Sequence, residues 1–389
     1  EIPLRLVGSE MCIRDRDKQA HKMMILYILA KYEEQDHGAK LNWRALIEGG
    51  IFEFMHRIIL TDIKPPIYHE LMRVHGRKLN AWIYSQLERR VPELDEVFFD
   101  KLKRWFDYPE ENRLEKKLLR AAHYLATQWE FGIIYHFNQA IYGIDATKAA
   151  IESNIEDHYD LAGVQKISLK GKTSKFIDLV GQLRFQKRWA QSPRVPETSV
   201  MGHVLIVAIL GYFCAAELGA CDERIVNDFL CGLFHDLPEV LTRDIISPVK
   251  TSVEGLDDLI KDIEKRQVAE KLLPLLPWGW HEEIIYFTQN EFTNRVMLDG
   301  VPTEVSEEEL NGKYNVDGHG YKAVDGRMLK GCDHLAAFVE AYLSTEYGIT
   351  SKHLLNGMAD LREKYKNKTI AGINFGAVYD EFPELKTNL

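Results

Sequence analysis

The chain has 389 residues, 46% of them hydrophobic and 28% charged, which is enough apolar material for two or more packed cores. Its formal net charge of −10 argues against a long nucleic-acid polymer as partner, because polymer binding relies on neutralising many phosphates. The cysteines Cys12, Cys214, Cys221, Cys231 and Cys332 form no CxxC pair, so buried thiols in a reducing, cytoplasmic compartment are expected rather than a disulfide framework.

The opening EIPLRLVG lacks the apolar core of a signal peptide. The SEMCIRDR that follows resembles translated sequencing-library adapter, so residues 1 to about 16 are read as a non-native leader. Apolar residues at three- and four-residue spacing predict helices over 19–34, 78–90, 113–141, 200–218, 224–236, 252–273 and 327–345. Alternating runs are few, and the expected fold class is all-α. His56, His69 and His75 have no partner at ligand spacing and read as surface or core histidines. Polar residues near 167–175 suggest a boundary between domains of about 17–165 and 166–389. The longest apolar run, Val204 to Ala216, is too short to span a bilayer, so no membrane partner is expected. Residues 290–326, rich in Gly, Asp and Asn, read as an inserted long loop or hairpin, and their NVDGHG fragment lacks calcium-loop spacing.

The run FLCGLFHDLPEVLTRDIISPVK carries the chemistry. His235 and Asp236 stand side by side at the polar end of an apolar helical segment, followed by Glu239 and Asp244. Imidazole and carboxylate both bind a divalent metal in their deprotonated forms, and a neighbouring acid can then manage a proton. His203 lies 32 residues before His235, near the start of an apolar helix, and Asp333 lies in a third helical pattern. Arg184, Lys187, Arg188 and Arg194 precede His203 as a basic cluster that could attract one phosphate or form a solvated face.

The order His, His-Asp, Asp, each on its own helical segment, resembles the metal tetrad of the HD-domain phosphohydrolases. With Arg188-Trp189 before His203, and HDLPEVLTRDIISPVK followed by an IEK, residues 175–350 resemble the bacterial YfbR-like 5′-deoxynucleotidases. The resemblance implies an HD-domain helical fold and one divalent transition-metal ion, such as Co, Mn or Zn, on His203, His235, Asp236 and Asp333. It implies Glu239 as acid/base, Asp244 near the 3′ hydroxyl, Arg188 on the phosphate and Trp189 against the sugar. Thr242 and Lys250, in the same motif, complete the expected substrate-binding set. The family usually has Glu before the first His. Gly202 stands there in this chain, which puts a supporting contact to His203 in doubt.

Sliding the chain by 182 positions places EGGIFEFMHRIILTDIKPPIY under the central motif, with Gly50 under Gly232, Phe52 under Phe234, Asp62 under Asp244, Pro66 under Pro248 and His21 under His203. Glu53-Phe54 then replaces His235-Asp236, and Arg57 replaces Glu239. At an offset of 210, His123 takes the place of Asp333. Two HD-like repeats with only the second intact are therefore expected, and the pair could pack as an intrachain pseudo-dimer. The expected activity is removal of the 5′-phosphate from deoxynucleoside monophosphates. The alternatives are hydrolysis of another nucleotide, triphosphate or cyclic, and nucleotide sensing without turnover.

Overall fold

Helix accounts for 69% of the protein in the computed structural model, and strands among the described residues for four short segments, so the fold is all-α. The structure describes residues 13–60, 63, 65–243 and 253–385. The chain divides into two compact units, Glu1–Val164 and Gln165–Leu389.

The first unit contains the helices Ile13–His37 (α1), Trp43–Leu60 (α2), Pro65–Arg90 (α3), Glu96–Asp107 (α4), Arg113–Phe137 (α5) and Ile144–Glu156 (α6). Helix α1 packs along α5, and α5 packs on α6. Of the leader read from the sequence, residues 1–12 lie outside the described residues, while Ile13–Arg16 open α1 and the Arg16 side chain is buried. Helix α2 escaped the periodicity reading because thirteen of its eighteen positions are buried, and a helix enclosed on all sides has no polar stripe to reveal its period. His56 is one of those core residues: its Nε2 meets Asn80 Oδ1 at 3.1 Å, its ring stacks on Phe106, and burial lowers its pKa. His75 is exposed.

Helix Ala162–Ser168 (α7) runs across the division, and Lys172–Gly181 (α8) opens the second unit. Its centre is the pair Val200–Glu217 (α9) and Asp222–Phe234 (α10), with Gly326–Glu346 (α15) packed on α9. Helix α9 has the length and apolar character to cross a membrane, longer than the apolar run alone suggested, yet it is enclosed by its neighbours as a core helix. Ser199 caps it, accepting from Gly202 N. The pair approaches closely at Gly232, where a Cβ would come within 2.9 Å of Ala208 Cα and 3.0 Å of its backbone nitrogen. The remaining α-helices among the described residues are Glu239–Thr242 (α11), Leu256–Gln267 (α12), His281–Thr288 (α13), Glu307–Asn311 (α14), Lys352–Tyr365 (α16) and Phe375–Asp380 (α17).

The expected long loop or hairpin at 290–326 contains a hairpin within a small folded layer. Arg295–Leu298 (β1) pairs antiparallel with Val301–Glu304 (β2) around Asp299-Gly300, both at positive φ as a tight two-residue hairpin turn requires. A capping box on Ser306 and Glu309 starts α14, and Val296, Val305, Leu310, Tyr314 and Ala323 form a core beneath. The NVDGHG fragment serves as a cap: Asn315 Oδ1 accepts from Cys221 N and Asp317 Oδ1 from Glu223 N, both at 2.8 Å. These side chains satisfy the start of α10, whose own N-cap residue Cys221 makes no side-chain cap bond. Further along α10, buried Arg224 donates to Asn311 and Asp325, and Asp228 accepts from Asp325 N. This layer is thus stitched to the helix that leads into His235. A second short hairpin pairs Thr369–Ile370 (β3) with Ile373–Asn374 (β4).

Candidate metal centre

The close approach at Gly232 brings the two histidines together. His203 sits one turn into α9 and His235 follows the last residue of α10, with ring centroids 5.8 Å apart. Ligand atoms of His203, His235 and Asp236 all lie within 4.8 Å of one another, the one such group among the described residues. Asp333, on α15, reaches the same place: its Oδ1 is 3.1 Å from His203 Nε2, while its Oδ2 holds Lys330 Nζ at 2.9 Å.

The tautomers follow from the other ring nitrogens. His235 Nδ1 donates to the Gly232 carbonyl at 2.8 Å, and His203 Nδ1 donates to Glu340 Oε1 at 3.1 Å. In the neutral rings both Nε2 atoms are then acceptors. Yet His235 Nε2 faces Asp236 Oδ2 at 3.2 Å, and His203 Nε2 faces both Asp333 and, at 4.0 Å, Asp236. Lone pairs turned toward carboxylates require a cation between them, either a proton or a metal, so the donor set fits a divalent ion. The same physics appears in the titration. Burial alone would lower the His235 pKa, but Asp236 overrides it and raises it to about 9. Burial would raise Asp236, and His235 with Arg188 instead hold it well below the usual carboxylate range.

Arg188 and Trp189 flank the cluster. Arg188 Nη1 lies 3.6 Å from Asp236 Oδ2 and its Nε 3.5 Å from Glu340 Oε2. Trp189 is half-buried rather than part of the core, and its indole Nε1 donates to Glu340 Oε2 at 3.1 Å. Its φ of 56° is a left-handed conformation that a bulky side chain rarely adopts, a strain the surrounding bonds must hold. Gly357 leaves space for the ring, since a Cβ there would fall 2.8 Å from indole Cη2.

Glu239 is buried and opens α11. Together with His235, Asp236 and Pro238 it lines a cavity of about 280 Å³, whose wall also includes Lys261, Lys265 and Asn290. Gln186 Nε2 donates to the Glu239 backbone carbonyl at 3.0 Å. Thr242 Oγ1 lies 3.4 Å from Glu264 Oε1 and so joins α11 to the IEK segment of α12. Asp244 and Lys250 lie outside the described residues, as do the aligned Asp62 and Pro248. At the aligned place in the first unit, Lys22 is ion-paired with Glu53, and the His21 ring meets Trp129 edge-on.

Two residues at the centre were absent from the sequence reading. Glu340 is buried and serves His203, Arg188 and Trp189 at once, standing where support from a Glu at position 202 was missing. Burial would raise its pKa, but Arg188 and His203 bring it down to about 2. Its signal was an acid two helical turns after Asp333 within an apolar stretch. Lys330, three residues before Asp333, lies 4.0 Å from the centre of the Phe292 ring as well as on the Asp333 carboxylate.

This geometry coincides with a family match: the HD-domain family model covers residues 180–362. Those residues are similar to an HD domain. Three curated relatives are similar to part of this chain. A 5′-deoxynucleotidase of Photobacterium profundum is 29% identical over 116 residues, 28% of this chain and 58% of that protein. A 5′-deoxynucleotidase of Vibrio atlanticus is 26% identical over 127 residues, 32% and 65%. The 5′-deoxynucleotidase YfbR of Salmonella typhi is 31% identical over 119 residues, 28% and 57%. The chain therefore spans less than two thirds of the length of each of these relatives. HD domains bind divalent metals, and the His203, His235 and Asp236 cluster could hold one.

Proposed function

We propose that the HD domain is a metal-dependent phosphohydrolase that removes the 5′-phosphate from deoxynucleoside monophosphates. The observation that carries this reading is the pair of histidines whose Nδ1 atoms are committed to Gly232 and Glu340, leaving Nε2 atoms that face Asp236 and Asp333. His203, His235, Asp236 and Asp333 would hold one divalent transition-metal ion. When bound, the ion supplies a Lewis acid at the phosphoryl group. Arg188, beside Asp236, meets the phosphate oxygens and offsets charge that grows on them. Glu239, on the cavity wall, manages the proton of the attacking water and of the leaving hydroxyl. Trp189 packs against the sugar and leaves no room for a 2′ hydroxyl. Asp244 and Lys250 keep the roles the resemblance implies, toward the 3′ hydroxyl and the substrate.

The cavity favours a monophosphate over a triphosphate. At about 280 Å³ it is near the lower end of small-ligand sites, and its lining includes Asp257, Glu264 and Glu291 beside Lys261 and Lys265. Lys261 is already paired with Asp257 at 2.7 Å. A polyphosphate tail would meet more acid than base. The deciding experiment is a phosphate-release screen over deoxy- and ribonucleoside mono-, di- and triphosphates and cyclic nucleotides with several divalent metals. Release confined to deoxynucleoside monophosphates is expected. Preferred turnover of triphosphates or cyclic nucleotides overturns the substrate, and no turnover with any metal overturns the enzyme in favour of a sensor.

A further inference from the structure

The first unit carries a cavity of about 650 Å³ whose wall is one face of α5. Arg113, Lys116, Lys117 and Arg120 line it at the i, i+3, i+4, i+7 spacing that stacks side chains along one stripe, and Tyr124 extends the stripe by another turn. The opposite wall comes from the end of α6 and the turn after it, including Asp157 and His158. Four cations thus line one concavity on a chain of net charge −10, against Glu110 and Asp157 among the lining acids.

The partners these cations already have compete weakly. The Arg113–Glu110 pair, at 3.3 Å, joins side chains 77% and 80% exposed, and the Lys117–Asp160 pair joins side chains 35% and 65% exposed. Exposed pairs of this kind contribute only ~0–1 kcal/mol. The Lys116 ammonium donates to the Tyr108 carbonyl and lies over the Trp105 ring, so its hydrogen bond leaves the charge unneutralised. Arg120 is exposed and forms no ion pair with a described residue.

We propose that this cavity binds a small polyphosphate anion, either inorganic or carried by a nucleotide. Arg113 and Arg120 are seven residues apart, roughly 10 Å along a helix, which is further than one phosphate can bridge and suits a chain of two or three. A nucleic-acid polymer does not fit, because a single stripe of four cations neutralises too few phosphates on an acidic chain. Tyr124, with its ring 5.8 Å from His158 and 5.5 Å from His123, supplies an aromatic surface against which a base can stack.

The test is calorimetric titration of the full chain with tripolyphosphate and, separately, with ATP, in chelator at low salt. Tripolyphosphate is expected to bind, and the double variant Arg113→Gln/Arg120→Gln to weaken it at least tenfold, while Arg188→Gln, in the HD domain, leaves it unchanged. If the double variant loses helical circular dichroism, the single exposed change Arg120→Gln serves, with a several-fold loss expected. Tighter binding of ATP that Tyr124→Leu removes assigns a nucleotide; equal binding assigns the phosphate chain alone, and both support the site. No heat up to millimolar ligand, or binding abolished by Arg188→Gln and untouched by the double variant, overturns it. This outcome is independent of whether the HD domain turns over deoxynucleotides.

Discussion

At Glu340 one buried carboxylate orients a histidine, an arginine and a tryptophan. Glu340→Gln keeps the shape and removes the charge that makes His203 a stronger ligand. Metal affinity is expected to fall about 10- to 100-fold, measured by competition with a chromogenic chelator, with the fold retained. Asp236→Asn is expected to abolish both bound metal and phosphate release; metal analysis of the purified variant checks it, and unchanged metal content counts against the donor set. Trp189→Ala is expected to raise ribonucleotide turnover relative to deoxynucleotide turnover, because the ring is half-buried and its removal leaves no full core cavity. Gly357→Ala, which touches the indole alone among these groups, should shift selectivity in the same direction. His203, His235, Asp236 and Asp333 were picked out as candidates by the order His, His-Asp, Asp that resembles the HD-domain tetrad, and the structure brings these side chains together. Glu340 was not picked out, since an acid on a helix ordinarily marks a solvated face, and its burial becomes visible only once α9 and the segment bearing Trp189 lie against α15.

At the scale of elements, the close contact of α9 and α10 depends on one missing methyl group. Gly232→Ala would press a Cβ into the Ala208 backbone, at a typical cost of about 1–3 kcal/mol, and would part the two histidines, so both the melting temperature and metal affinity should fall. Beneath the folded layer at 295–324, Asp228 and Asp325 share Arg224 in a buried network. Burial raises Asp228 from the ordinary 3.8 to about 7, despite Arg224. Its folded pKa lies above its unfolded one, so the folded state retains a proton that the unfolded state loses. The stability this contributes is fully present below pH 4 and is lost as pH rises through about 7. The melting temperature of Asp228→Asn minus that of the wild type should therefore increase from pH 6 to pH 8, and a difference independent of pH would refute the assignment. The long periodic helices were readable from sequence. The folded layer at 295–324 was read as loop or hairpin because its strands are four residues long and its core is assembled from residues spread over nearly thirty positions.

For the whole molecule, the division into two units has a chemical counterpart. Among the described residues one group can hold a metal, and at the aligned place in the first unit a lysine ammonium is paired with Glu53. Metal analysis is accordingly expected to give one ion per chain, and two would require a second site. The all-α class followed from the pattern of apolar spacing. The suggested duplication rests on sequence offsets and remains a proposal.

The caps on α10 come from nearly a hundred residues away, and this separates two kinds of opening. The first amides of a helix ordinarily exchange with solvent by fraying, on the fastest timescale the helix has. Here Cys221 N and Glu223 N are held by Asn315 and Asp317. Their deuterium uptake should therefore report undocking of this layer rather than fraying, and should accelerate in Asn315→Ala and Asp317→Ala while amides in the middle of α9 keep the rate set by global unfolding. The entrance of the histidine-bearing helix is a built-in gauge of whether the segment braced against it is in place.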